Sequence, residues 1–362
     1  MDSIIIQTPK GERTIGTGHP CFIIAEMSGN HNHDYNKAVE IIHAAAAAGA
    51  DAVKLQTYTP DTMTIDCDKP AFTVNNEDNP DLWKGKNLHA LYQTAYTPWE
   101  WQPKLQHVAK EAGIVLFSTP FDPTAVDFLE DMHVPLYKIA SYEATDLVLL
   151  RAVAKTGKPV IMSVGFATLE EVTWAIQTLR DNGAGEIIVL HCVTGYAGEA
   201  DLSAMNLRTM LDIGKRFNVT VGFSDNNGGI EVPITAVAMG ATVVEKHFMI
   251  DRNEGGPDAR FSVQPNEFEG MVKGIRKTEK IMGTIRYGCQ SPQEEENTFF
   301  RRSLFVVENM KKGEVFTEKN MRSIRPSVGM ESKYYDDVLG ATATQDIERG
   351  TPLQWELIQK KV

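Results

Sequence analysis

Lys54 and Lys138 each stand inside a short apolar run, AVKLQ and PLYKIAS, of the kind that folds into a buried strand. An ammonium group is costly to bury unless it meets an anion. Ser141 follows the second lysine by three residues, and Ser163 and Ser224 lie near the ends of two further runs, PVIMSV and VTVGFSD. Two cations and three hydroxyls suit a ligand that carries phosphate or carboxylate. The alternative is that each lysine pairs with Glu26, in CFIIAEM, or with Glu245, in ATVVEKHF, as a structural ion pair. One lysine alone would favour that alternative; two, with three serines, favour the ligand.

Further polar residues sit at run ends: Gln56, Ser118, Thr194, Asp225, Asn226, Lys246 and His247. Side chains alternate along a strand, so Lys54 shares a direction with Gln56, and Glu245 with His247. His247 reads as a structural histidine or as a metal ligand, with Asn226 as an oxygen donor, although an amide is a weak partner for a transition metal. His31 and His33, in GNHNHD, either orient substrate hydroxyls or organise their loop. Asp258, in EGGPDARFS, is either carried towards a ligand by a mobile loop or is a solvated turn residue.

These residues need a scaffold that brings run ends together. The eight runs begin at Cys21, Ala52, Val115, Pro135, Pro159, Glu186, Val219 and Ala241, with helical periodicity between them. Ala38, Ile41, Ile42, Ala45 and Ala46, for example, fall on one helical face, and Gly49 supplies a stop. Eight strand–helix repeats predict an α/β fold, a (β/α)8 TIM barrel, whose site forms at the C-terminal strand ends. The connection from Gln56 to Val115 is about twice as long as the others and is expected to help cover the substrate. At 362 residues the chain exceeds the ~250 typical of this barrel. We therefore expect the barrel over 1–284, a polar linker over 285–298 around QSPQEEEN, and a small domain of short strands and turns over 299–362.

A net charge of −12 argues against nonspecific binding to nucleic acid or an anionic membrane. Four cysteines without CxxC spacing read as reduced packing residues. The apolar stretch near the N-terminus is too short for a signal peptide, and no run approaches membrane-spanning length, so a cytoplasmic protein is expected.

The strings IAEMSGNHN, AGADAVKLQTYTPDTMT, FSTPFDPTAVDFLE, YKIAS, GFSDNNGGI, EKHFMIDRNEGGPDARFS and RPSVGM together resemble the sialic acid synthase family. Within it, LQTYTPDTMT and LWKGKNLHALYQTAYTPWEW are most similar to the pseudaminic acid synthases. The resemblance implies condensation of phosphoenolpyruvate with an N-acetylated amino sugar, here 2,4-diacetamido-2,4,6-trideoxy-altropyranose, to a nonulosonic acid with release of phosphate. N-acetylneuraminate or legionaminate synthesis, or a non-catalytic sugar-binding barrel, are the rival expectations. It further implies that Lys54, Lys138, Ser141, Ser163 and Ser224 hold phosphoenolpyruvate, and that Glu26, Gln56, Tyr196 and Asp258 face the sugar. The small domain would be antifreeze-like (SAF), reaching over the other barrel of a domain-swapped homodimer and presenting Arg325 to the sugar.

Two departures stand out. Where the family has histidine after the seventh run, paired with the one in EKHF to bind a divalent cation, this chain has Asn226. A divalent metal (Mn, Mg or Co) held by His247 and Asn226 is thus one expectation and metal-independent condensation the other. After the sixth run the family's Ser or Asn before a Tyr-Pro pair is replaced by Thr194, Gly195, Tyr196 and Ala197; Thr194 is carried as a candidate phosphoenolpyruvate contact. In the implied chemistry a metal or a protonated His247 would stabilise the alkoxide, and Glu26, or Glu245 with Asp258, would move protons.

Overall fold

The computed structural model describes residues 3–74 and 85–359; Leu82, Trp83 and Lys84 of the motif quoted above lie outside them. Strands Ile4–Thr8 (β1) and Gly11–Ile15 (β2) pair as an antiparallel hairpin around the turn at Pro9 and Lys10. The eight apolar runs then fold as Phe22–Glu26 (β3), Ala52–Thr57 (β4), Val115–Pro120 (β5), Tyr137–Ile139 (β6), Val160–Ser163 (β7), Ile187–Val193 (β8), Thr220–Asp225 (β9) and Val243–His247 (β10). Each is parallel to its neighbours, and the sheet closes where β10 pairs with β3. That closure places His247 opposite Glu26. The chain is therefore a (β/α)8 barrel, and the hairpin is an addition to the eight expected runs.

Near-continuous apolar strands are what a parallel sheet covered on its outer face requires. Phe22, Phe117, Phe223 and Leu190 are fully buried. Truncating such a phenylalanine to alanine costs about 3–5 kcal/mol, the lost transfer energy plus the cavity left behind. Gly222 in β9 has a steric reason: a Cβ there would come within 2.3 Å of the Val243 carbonyl oxygen.

Helix Tyr35–Ala47 (α1) begins where the Asp34 carboxylate accepts from the Asn36 and Lys37 amides, and it buries Ala38, Ile41, Ile42 and Ala45 as the periodicity predicts. The long connection after β4 carries Pro60–Met63 (α2), Leu88–Ala95 (α3) and Gln102–Glu111 (α4) among its described residues before the barrel resumes at β5.

The chain divides into two compact units, Met1–Gly283 and Thr284–Val362. The second has its own core, with Leu304, Val306, Phe316, Met321, Val338 and Leu353 buried. Its three-stranded sheet sets Ser303–Val306 (β11) between Met321–Ile324 (β12) and Met330–Glu331 (β13). The QSPQEEEN stretch contains a short helix, Pro292–Asn297, capped by Ser291. Among the described residues no helix is long and apolar enough to cross a membrane.

Candidate active site

Parallel strands in a closed barrel end on one face, so inward side chains from different strands converge there. A cavity of about 420 Å³ opens at that end, and Glu26, Gln56, Lys54, Lys138, Ser141, Ser163, Tyr196, Ser224, Asn226, Glu245, His247 and Asp258 all line it. Alternation sorts β10 cleanly: Glu245 and His247 line the cavity, whereas Lys246 points away and pairs with Asp225 at 2.7 Å.

The floor is a charged cluster. Lys54 Nζ lies 2.6 Å from Glu26 Oε2 and 4.0 Å from Glu245 Oε2, and donates to Thr119 Oγ1 at 2.9 Å. Lys138 Nζ meets Glu245 Oε1 at 3.2 Å, and Ser224 donates to the same oxygen at 3.1 Å. The lysines are thus paired with carboxylates, as the ion-pair reading has it, and they also line the cavity.

Burial works against every charge here. It is the largest influence on Lys54, yet Glu245 and Glu26 together outweigh it and hold the ammonium charged beyond its ordinary range. Lys138 is pulled down by burial, with Glu245 opposing and Lys54 reinforcing. Glu245 also resists burial, because two lysines face it, and stays below the usual carboxyl range. Glu26 is pushed up to about 7 by burial, against the attraction of Lys54. Of the two carboxylates that share the lysines, Glu245 therefore carries the fixed charge and Glu26 exchanges a proton near neutrality.

Towards the rim, Gln56 donates to Glu26 Oε1 at 2.9 Å and to Ser28 Oγ at 3.0 Å. Asp258 is raised to about 6 by burial, with Ser28 and Lys54 opposing. Ser141 Oγ accepts from the Gly165 amide at 3.0 Å, while Ser163 Oγ is buried and has no partner among the described residues.

Two expectations are corrected, and other residues are placed. A protonated His247 is disfavoured in the ligand-free site: burial, reinforced by Lys54 and opposed by Glu245, lowers its pKa to about 3. Thr194 does not line the cavity; its methyl lies about where a Cβ on Gly165 would touch it. Ser118 points away from the cavity and is bonded to Thr57. His31 is a loop organiser: its Nδ1 accepts from the His33 amide, so Nε2 is left to donate to Thr97 Oγ1. Arg325 is exposed at the end of β12 in the second unit.

The loops that carry the two departures from the family pattern touch. The Gly228 amide donates to the Ala197 carbonyl at 2.9 Å, and a Cβ on Gly228 would fall 1.9 Å from the Gly198 oxygen. Asn226 Nδ2 donates to Cys192 Sγ at 3.4 Å. His247 Nδ1 has no hydrogen-bond partner among the described residues but lies 3.7 Å from Asp258 Oδ2, so a cation would find one imidazole, one carboxylate and the Asn226 amide. Among the described residues no three His, Cys, Asp or Glu side chains gather to hold a metal ion. With Asn226 in place of the family's second histidine, a cation such as Mn, Mg or Co would have to rely on one imidazole and oxygen donors.

Reading only the strand ends misses residues a few positions beyond them. Glu143, two after Ser141, lines the cavity with Oε2 buried and unpartnered, and burial raises it to about 7 against Lys138. Ser28, Tyr58, Tyr92 and Tyr142 also line it. A carboxylate or tyrosine shortly after a barrel strand was the available signal.

The NeuB family model matches residues 41–287, and the SAF domain model matches 301–359. The chain belongs to the NeuB family. Among its relatives, a pseudaminic acid synthase of Campylobacter jejuni subsp. jejuni (strain 81-176) is 39% identical, covering 93% of this chain and 96% of that protein. An N,N'-diacetyllegionaminic acid synthase of C. jejuni (strain NCTC 11168) is 36% identical, covering 90% and 96%. The crystal structure of an N-acetylneuraminic acid synthetase from Leptospira borgpetersenii, in complex with citrate, superposes with a TM-score of 0.69 at 30% identity, covering 82% of this chain and 95% of that one. The two models fall one on each unit, NeuB on the barrel and SAF on the second.

Proposed function

We propose that this NeuB family member is a pseudaminic acid synthase, joining phosphoenolpyruvate to 2,4-diacetamido-2,4,6-trideoxy-altropyranose with release of phosphate. The observation that carries the reading is the pair of buried ammonium groups, Lys54 and Lys138, beside the unpartnered hydroxyl of Ser163. A doubly anionic substrate satisfies all three, with Ser141 and Ser224 completing its shell. The relatives with that activity support the choice of acceptor.

In this reading C3 of phosphoenolpyruvate attacks the aldehyde of the open-chain sugar, water adds at C2, and the tetrahedral intermediate expels phosphate by C–O cleavage. Lys54 and Lys138 neutralise the phosphate and carboxylate, so negative charge is met by groups already in place. Glu26, poised near neutrality, gives a proton to the new alkoxide, and Gln56, Tyr196 and Asp258 orient the sugar. Glu245 stays ionised and positions the lysines. We propose that the condensation needs no protein-held cation, since Asn226 stands where the family pattern has the second histidine.

We further propose a homodimer in which the SAF domain brings Arg325 to the other subunit's acceptor. The exposed ring pair of Tyr142 and Phe166, centroids 5.0 Å apart, is the kind of apolar surface such an assembly would cover.

The test follows phosphate release with phosphoenolpyruvate and each acceptor in turn. Release with the altro-configured diacetamido sugar, well above that with the legionaminate precursor or N-acetylmannosamine, is expected. A preference for the legionaminate precursor would reassign the acceptor. Silence with all three would favour a binding-only barrel.

A further inference from the structure

Besides the charged floor, the same cavity has a lining of a different kind, which we call its wall. Leu88, Leu91, Tyr92 and Ala95 of α3 line it at positions i, i+3, i+4 and i+7, one face of a helix. Met63, the last residue of α2, and Val74 continue that surface. An apolar helix face is ordinarily covered by the core; this one meets the cavity, and only Leu91 of the six is buried. Its place is fixed by a close approach, since a Cβ on Gly29 would lie 3.1 Å from the Ala95 carbonyl oxygen. Ser28 and Glu26, just before that glycine, belong to the polar side.

An acceptor held between the two surfaces meets charge on one side and hydrocarbon on the other. A hydroxymethyl group set against the wall would give up its hydrogen bonds to water and find only the Tyr92 hydroxyl in exchange. A methyl group loses nothing there and gains contact. We propose that this face of α3, with Met63 and Val74, determines acceptor choice by holding the C6 methyl of a deoxygenated, acylated amino sugar. The proposal rests on the synthase reading above and assigns that reading's specificity to the connection after β4, not to the strand ends.

The experiment compares kcat/KM for two acceptors with the full-length protein: the 2,4-diacetamido-2,4,6-trideoxy sugar and its congener with a hydroxyl on C6. The 6-deoxy sugar is expected to be preferred by about 10- to 100-fold, the range an apolar pocket achieves against an added hydroxyl. Leu88→Gln and Met63→Gln are each expected to shrink that ratio while leaving the KM for phosphoenolpyruvate unchanged, which a merely structural defect would not do. Equal kcat/KM for the two sugars in the unaltered protein overturns the wall and leaves the synthase standing. So does an undiminished ratio in both variants. Phosphate release from neither sugar overturns the synthase reading, and the wall with it.

Discussion

The floor and the wall of the cavity are built by different rules. The floor comes from strand ends: Glu26 of β3, Lys54 of β4, Lys138 of β6 and Glu245 of β10 are fixed by the register of a closed sheet, and each is at most 5% exposed. The wall comes from one long connection between β4 and β5, where α2 and α3 lay half-buried hydrocarbon against the same space. A barrel strand cannot shift without disturbing its neighbours, whereas a connection can change its residues at little cost to the fold. The difference suggests a division of labour, with bond-making chemistry on the rigid part and acceptor choice on the replaceable one.

The largest effect should come from the floor. Lys138→Ala removes a cation from the ligand site and leaves Glu245 with only Lys54, 4.0 Å away, to balance its charge. We expect kcat/KM to fall by about 10³-fold or more, the scale of losing a preorganised charge, with every acceptor affected alike. Circular dichroism must show a folded barrel, because breaking a buried pair also costs about 3–5 kcal/mol. Near-normal turnover in a folded variant would remove Lys138 from the chemistry. A loss confined to one acceptor would erase the contrast between floor and wall.

Ser163→Ala should be milder. Its hydroxyl has no protein partner among the described residues, so the folded protein loses no hydrogen bond and the melting temperature should hold. If a substrate anion is its partner, the KM for phosphoenolpyruvate should rise about 10-fold, the worth of one charge-assisted hydrogen bond. An unchanged KM would detach Ser163 from the anion site.

Much of this was legible in the sequence, for identifiable reasons. All eight barrel strands lie within or alongside the eight apolar runs, because a strand buried on both faces must be apolar throughout. The convergence of Glu26, Gln56, Lys54, Lys138, Ser224, Glu245 and His247 followed from alternation and strand direction alone. The β1–β2 hairpin was not foreseen, since its polar faces, Gln7, Glu12 and Arg13 among them, dilute the apolar signal of Ile4 and Ile6. Thr194 was misplaced because a loop residue just beyond a strand obeys no alternation rule, and its side chain turns to Gly165. Glu143 and the α3 wall were missed for a shared reason: they lie beyond the strand ends, where local spacing says nothing about which face meets the cavity. The charge state of His247 was invisible as well, because it depends on burial beside Lys54 and not on any neighbour in sequence.

Glu143 sits where floor and wall meet: its carboxyl is influenced by Lys138 and in turn raises the Tyr92 phenol, after burial. Its pKa rises from 4.5 to about 7 on folding, so the folded state binds the proton more tightly than the unfolded chain. The stability it contributes is fully present below about pH 4.5 and is lost as pH rises through 7. The shift corresponds to about 3 kcal/mol, reduced to about 2 because the residue is only half-buried. Denaturant unfolding at pH 5 and pH 8 should therefore show a smaller drop for Glu143→Gln than for the unaltered protein. Glu26 has the same sign in both proteins and cancels in the difference. Equal drops would mean that Glu143 is hydrated in the open cavity and that the boundary between floor and wall is wet.

The smallest expected effect is that of metal removal, and it examines the one place where the floor departs from the family pattern. With Asn226 bonded to Cys192 and its loop held to the one after β8 by the Gly228–Ala197 contact, His247 lacks a second histidine and has only oxygen donors such as Asp258 nearby. A cation that binds the folded protein must stabilise it by mass action. Chelator-treated protein should therefore melt at the same temperature with and without added Mn²⁺, and phosphate release should be insensitive to the ion. Asn226→His is expected to create the missing dependence: a Mn²⁺-induced rise in melting temperature that the parent lacks. A rise already present in the parent would mean that His247 and an oxygen of Asn226 or Asp258 suffice, and would put the alkoxide under a metal's charge instead of a proton from Glu26.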